Sequence, residues 1–182
     1  DGAVDSNRVQ RSRTTNPAPL EMADPGVLGK VRAKQDRWAK PNIQRAGGRP
    51  LLIHGDAAFA GQGVVAECLG LSGLKGHRTG GSIHFIINNQ IGFTTDPRFS
   101  RSSPYPSDVA KTVEAPIFHC TGHDPEAATF AAYVSVEYRQ NLGKPVVLAI
   151  LCYLPSALNQ PHDAACTHLP LYQRLPLPPP VP

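Results

Sequence analysis

A chain of 182 residues that is 41% hydrophobic can bury one core, which predicts one domain or part of one. Its formal net charge of +4 is modest, and its basic residues neither crowd one helix face nor alternate with aromatics, which argues against a nucleic-acid groove. No apolar run is long enough to span a bilayer, and the N-terminus shows no signal-peptide core.

Residues 1–50 read as a lead-in: a polar stretch broken by Pro17 and Pro19, a surface helix from about Val27 to Trp38, and a Pro/Asn/Gly loop over Pro41 to Pro50. From Leu51 the pattern becomes regular. Leu51–His54 is a predicted strand, Gly55 to Gly63 a turn, and Val64 to Leu74 a helix. Ser82–Asn88 is a second strand, Gly92 to Pro106 a long loop, and Ser107 to Val113 a short helix. Pro116–Cys120 is a third strand. Asp124 caps a helix with Pro125 at its first position, and Asn141-Leu142-Gly143 closes it. Pro145–Cys152 is a fourth apolar strand. Continuously apolar strands separated by helices predict an α/β fold, a parallel sheet with helices on both faces, over residues 51–153. Residues 154–182 hold eight of the 19 prolines and end Pro178-Pro179-Pro180-Val181-Pro182. Such a tail cannot continue a sheet and reads as extended or disordered, with a proline-rich ligand as the functional alternative.

Cys68, Cys120, Cys152 and Cys166 are too widely spaced for a C-x-x-C zinc or redox pair. The first three fall in a predicted helix or at predicted strand ends, where a free thiol is a small hydrophobe, and this predicts a reducing compartment. The chain opens on Asp1 rather than Met, and a piece of a longer protein is expected.

Two strand ends carry the chemistry. Asp56 follows the first strand and Asn89 the second, and ligands of open α/β sheets bind at the carboxyl ends of strands. A carboxylate, an amide oxygen and the backbone carbonyl of Ile91 are hard oxygen ligands suited to Mg²⁺ or Ca²⁺, with positions left for phosphate and water. Gly61 and Gly63 would let backbone approach an anion at a helix start. Taken singly, Asp56 reads as a helix cap and Asn89 as a turn residue. His119 and His123 lack the helical spacing of a metal pair, and His84 reads as a satisfied core histidine. Ser102, Ser103 and Tyr105 line either a site entrance or a plain surface loop.

Gly55-Asp56, 31 intervening residues and then Asn88-Asn89 resemble the thiamine-diphosphate motif. The string His54-Gly55-Asp56-Ala57-Ala58-Phe59-Ala60-Gly61-Gln62-Gly63, with Asn88-Asn89-Gln90-Ile91-Gly92-Phe93-Thr94-Thr95, resembles the E1 component of the 2-oxoglutarate dehydrogenase complex. So do Arg101-Ser102-Ser103-Pro104-Tyr105, Ala115-Pro116-Ile117-Phe118-His119, Asp124-Pro125-Glu126-Ala127 and Val146 to Tyr153, so that the resemblance spans about three quarters of the chain, from Asn16 to Tyr153. The resemblance implies a partial thiamine-diphosphate-binding fold that uses thiamine diphosphate and Mg²⁺. Its cofactor positions would be Gly55, Asp56, Ala57, Ala58, Asn89 and Ile91, with Asp56, Asn89 and Ile91 holding the metal and no catalytic residue assigned. It further implies decarboxylation of 2-oxoglutarate in the tricarboxylic acid cycle, with succinyl passed to the lipoyl group of a dihydrolipoyl succinyltransferase (E2), and an E3 partner. A homodimer is implied, its pyrimidine-binding domain lying outside this chain, with a cytoplasmic location in a bacterium or the mitochondrial matrix in a eukaryote.

Two departures accompany the resemblance. Asn16-Pro17-Ala18-Pro19-Leu20-Glu21 carries Pro19 where the family typically shows a histidine near the substrate, and proline can neither donate a proton nor bind a carboxylate. After Cys152-Tyr153 the family's Arg-Arg and Gly-His-Asn-Glu are replaced by Leu154-Pro155-Ser156-Ala157, which predicts a frameshift or a sequencing error near Tyr153. The alternative function is therefore an inactive, truncated or frameshifted product.

Overall fold

The computed structural model describes residues 11–15, 20–37, 47–90, 92 and 95–152. The readings placed on Trp38, Pro41, Ile91, Pro19, Cys166 and the tail from 154 lie outside these residues. A 3₁₀ turn, Leu20–Met22, leads into α1 (Ala23–Arg37); β1 (Leu51–Gly55), α2 (Asp56–Gly61), α3 (Gly63–Leu71) and β2 (Ile83–Asn88) follow. Two further 3₁₀ segments, Pro97–Phe99 and Pro106–Val113, precede β3 (Ile117–Thr121), α4 (Pro125–Leu142) and β4 (Val146–Leu151).

The four strands form one wholly parallel sheet in the order β1-β2-β4-β3, as the apolar runs predict. The chain advances from β1 through β2 to the far edge at β3, then turns back to insert β4. Right-handed crossovers put the connections of the forward steps on one face and that of the return step on the other. Accordingly α2, α3 and the Pro106–Val113 segment share one face, and α4 lies against β3 and β4.

The main core fills the first face, where Phe59, Val65, Leu69, Ile86, Val147 and Ala149 are buried together. α4 starts as its sequence requires: the Asp124 carboxylate accepts from the Ala127 amide at 2.9 Å, Pro125 follows, and Gly143 at φ 65° ends it. Its buried Arg139 donates through Nε to Gly81 O at 3.1 Å and through Nη2 to Gly48 O and Thr79 O, both at 3.0 Å. Burial, with Arg49 nearby, lowers the Arg139 pKa to about 10, which leaves it charged. The guanidinium thus joins α4 to the segment that feeds β2, and Gly81 there sits at φ 85° with Lys144 backbone against its Cα.

Several expected boundaries move. Gly55 to Gly63 is not a turn: Asp56–Gly61 is helical and only Gln62 separates α2 from α3, so Gly61 and Gly63 bracket a helix break. The helix expected to run to Leu74 ends at Leu71, and the lead-in helix starts at Ala23 because Pro25 falls in its first turn, where proline is tolerated. Ser107 to Val113 is 3₁₀ rather than α, and the Gly92–Pro106 loop contains Pro97–Phe99. Cover on the α4 face stops short of the β1 edge, where Leu51 and Ile53 are 53% and 71% exposed and β1 alternates outward and inward. No described helix is long and apolar enough to cross a membrane.

Candidate functional site

The site is built on the carboxyl edge of β1 and β2. Register pairs Gly55 with Ile87, so Asp56 leaves β1 beside Asn88, the last residue of β2, with Asn89 next. Adjacent strands run about 4.8 Å apart, which brings the two strand ends within reach of one small ion. Gly55, extended at φ −79° and ψ 152°, holds the cap position, and Asp56 is the first helical residue.

Asp56 is 1% exposed, yet it is a carboxylate at a sheet edge. Its Oδ2 receives Nη2 of Arg101 at 2.5 Å, and the Arg101 side chain is itself only 15% exposed. Burial raises the Asp56 pKa; the Arg101 hydrogen bond and charge, and the backbone amides of Asp56 and Ala57, oppose that rise. A buried carboxylate is tolerated only where cationic charge and hydrogen bonds meet it, and a hard cation meets the same need. The buried Asp56 carboxylate therefore suits a hard divalent ion.

After β2 the backbone reverses sharply. Gln90 takes φ 62°, and its amide hydrogen-bonds to Asn88 Oδ1 at 3.2 Å. The returning chain closes over α2: a Cβ on Gly92 would lie 3.7 Å from Ala57 Cβ. Thr95 then donates its amide to Gly92 O at 3.0 Å. The loop therefore lies against the first turn that carries Asp56, Ala57 and Ala58. Asn89 sits half-buried at the root of that reversal, while the carbonyl of Ile91 lies outside the described residues.

Behind the strand end runs a buried polar chain that no sequence pattern announced. Glu21 Oε2 meets His54 Nδ1 at 2.5 Å, His54 Nε2 meets His84 Nδ1 at 2.9 Å, and His84 Nε2 meets Ser82 Oγ at 2.8 Å. All four residues are below 5% exposure. The Glu21 carboxylate accepts from Nδ1–H of His54, and the direction beyond it follows the His54 ring: a neutral ring accepts His84 Nδ1–H at Nε2, whereas a protonated ring donates there and sets His84 to donate to Ser82. Burial and the adjacent His54 lower the His84 pKa to about 3, so its ring is neutral. Asp24, at 4% exposure, completes a group of three ligand types with Glu21 and His54, whose ligand atoms lie within 4.8 Å of one another. Burial, above all, raises its pKa to about 7, helped by Glu21 and opposed by His54. Glu21 and His54 already touch directly, so no gap for an ion lies between them, and the group functions as a hydrogen-bonded latch that pins the 3₁₀ turn and α1 to β1.

The remaining expected residues fall apart from this edge or into structural roles. His84 is a satisfied core histidine, as read. His119 is exposed on β3 and packs against Tyr105 with ring centroids 4.6 Å apart and planes tilted by 49°, while His123 belongs to the turn before α4. Tyr105 and Ser103 shape the start of the Pro106–Val113 segment: Ser103 Oγ donates to Tyr105 O, and the Tyr105 amide donates to Asp108 Oδ2. Cys68, Cys120 and Cys152 are free thiols. Sequence reasoning missed Arg101 as the partner of Asp56; its one signal was its place in a string shared with the resembled family.

Comparison with known proteins matches residues 7–157 to the family model described as "Dehydrogenase E1 component". Among curated proteins, the 2-oxoglutarate dehydrogenase E1 components of Brucella anthropi and Brucella ovis are each 57% identical to this chain over 96% of its length. That coverage extends beyond the three quarters quoted for the resemblance. The chain spans 18% of the length of these relatives.

Proposed function

Because the chain belongs to the dehydrogenase E1 component family, we propose that residues 51–153 form the diphosphate- and metal-binding half of a thiamine-diphosphate site in a 2-oxoglutarate dehydrogenase E1 component. The observation that carries this reading is Asp56: a carboxylate 1% exposed at the carboxyl end of β1, in register with the strand end that bears Asn89. Burying an acid there is costly unless positive charge meets it; Arg101 supplies one such charge, and a bound cation would supply another.

Asp56 and Asn89, with the Ile91 carbonyl, would hold Mg²⁺. Gly55, Ala57 and Ala58 would lie against the diphosphate, where Gly55 offers no side chain and the first-turn amides of a helix have no intrahelical partner. When bound, thiamine diphosphate supplies the electron sink for decarboxylating a 2-oxo acid. This chain's residues contribute position and charge: the β1 and β2 ends fix the spacing of the metal ligands, and the buried latch from Glu21 to Ser82 holds β1 against α1. The substrate is 2-oxoglutarate, as named in the relatives, and succinyl would pass to a dihydrolipoyl succinyltransferase E2, with E3 completing the complex of the tricarboxylic acid cycle. The aminopyrimidine half belongs to a further domain, in a homodimer.

Calorimetric titration of the chain with thiamine diphosphate, with and without Mg²⁺, tests the reading. Binding that requires Mg²⁺ and disappears in Asp56→Ala is expected. Metal-independent binding, or binding indifferent to Asp56→Ala, would refute the assignment.

A further inference from the structure

We propose that Arg101 is a positioning residue for the metal site: its guanidinium grips one oxygen of Asp56 and so presents the other to the cation. This rests on the metal reading above and names a residue that reading does not use.

The geometry favours a grip over a rival occupancy. A guanidinium that stood in for the cation would chelate the carboxylate with two parallel N–H groups, the fork arrangement arginine readily makes. Here the contact is single, Nη2 to Oδ2 at 2.5 Å, and Oδ1 lies outside the ion pair. The Arg101 Nε is buried and has no hydrogen-bond partner among the described residues, so it does not bond the carboxylate. Arg101 therefore approaches Asp56 by one tip of the fork. The nearby backbone amides of Asp56 and Ala57 favour the charged carboxylate, and the Arg101 contact is the hydrogen bond that orients it.

That orientation matters for the ion expected. Mg²⁺ demands near-ideal octahedral geometry and takes carboxylates through a single oxygen. Partners that hydrogen-bond the other oxygen of a ligating carboxylate set its orientation, and losing one costs roughly 10- to 100-fold in metal affinity. Arg101 reaches Asp56 across 45 positions, from the segment that follows the β2 loop. The grip therefore couples the strand end carrying Asp56 to the loop that begins at Asn89.

The test uses Mn²⁺ as the probe, with the free ion counted by electron paramagnetic resonance at saturating thiamine diphosphate. The chain is compared with Arg101→Ala, Arg101→Lys, Asp56→Ala and the Asp56→Ala/Arg101→Ala double variant. Thermal midpoints recorded without metal verify that each folds. Positioning predicts that Arg101→Ala weakens Mn²⁺ binding about 10- to 100-fold. Arg101→Lys recovers most of the loss, and Arg101→Ala adds nothing once Asp56 is gone. A purely structural role would lower the metal-free thermal midpoint of Arg101→Ala and leave Arg101→Lys no better than Arg101→Ala in Mn²⁺ affinity, and that outcome overturns the proposal. Tighter binding in Arg101→Ala would make Arg101 a competitor of the cation and also overturns it. In either of those cases a loss in Asp56→Ala leaves the metal reading standing. Mn²⁺ binding indifferent to Asp56→Ala, or absent from every protein, overturns both.

Discussion

Two buried groups in the latch beneath the site titrate in opposite directions, and the stability of the chain should show it. The Asp24 pKa is raised from 3.8 to about 7 by burial, reinforced by Glu21. Its favourable contribution is complete below pH 3.8 and is lost as pH rises through about 7. The His84 pKa is lowered from 6.5 to about 3 by burial and His54. Its contribution is complete above pH 6.5 and is lost as pH falls toward 3. Between pH 5 and 6 folding therefore takes up about one proton at Asp24 and releases about one at His84, so the two slopes cancel. The other charged or titratable groups at hand are Glu21 and His54, both common to every variant below, with the Cys68 thiol further out. Each proton is worth ~1.4 kcal/mol per pH unit. Asp24→Asn keeps the shape of the protonated acid and leaves His84 unopposed. From pH 6 to pH 5 this variant should lose ~1.4 kcal/mol relative to the unaltered chain. His84→Gln should gain a similar amount over the same interval, and the double variant should run parallel to the unaltered chain. Urea unfolding at half-unit pH steps, with a common m-value, measures these differences free of each variant's fixed offset. Slopes identical in all four proteins would refute the burial argument for both groups.

Other substitutions test the scaffold that carries the site. Gly81→Ala forces a side chain to φ 85° and drives its Cβ into the Lys144 backbone, so a loss of several kcal/mol in urea unfolding is expected. Asp124→Ala removes the cap of α4 and should lower stability by about 1 kcal/mol, with Asp124→Ser recovering most of it. Because α4 rests on the sheet face opposite Phe59, neither change should alter the metal dependence of cofactor binding.

The parallel sheet was legible because β2 and β4 are buried on both faces and their apolar runs leave no room for a helical period. The cap of α4 was legible because Asp124-Pro125 at one end and Gly143 at the other act locally, within a few residues. Errors came where local signals conflicted with tertiary ones. Gly55, Gly61 and Gly63 weigh toward a turn, yet Ala57, Ala58 and Ala60 are strong helix formers and Phe59, 1% exposed, anchors that turn of helix in the core. Asp56 and Asn89 could be placed just past two strands because strand ends are predictable. Arg101 and Glu21 could not, since a single contact across 45 or 33 positions leaves no periodic trace in the chain. His54 read as part of an apolar run, although it anchors the buried latch.

The central claim is that this chain holds a divalent cation at the ends of β1 and β2. A crystal of the chain grown with Mn²⁺ and thiamine diphosphate, with anomalous diffraction recorded at the manganese edge, tests it most directly. The account predicts one strong anomalous peak bonded to an Asp56 carboxylate oxygen and the Asn89 side chain, at about 2.1–2.2 Å. A peak at Glu21, Asp24 and His54 instead, or ordered cofactor with Asp56 still bound only by Arg101, would contradict it.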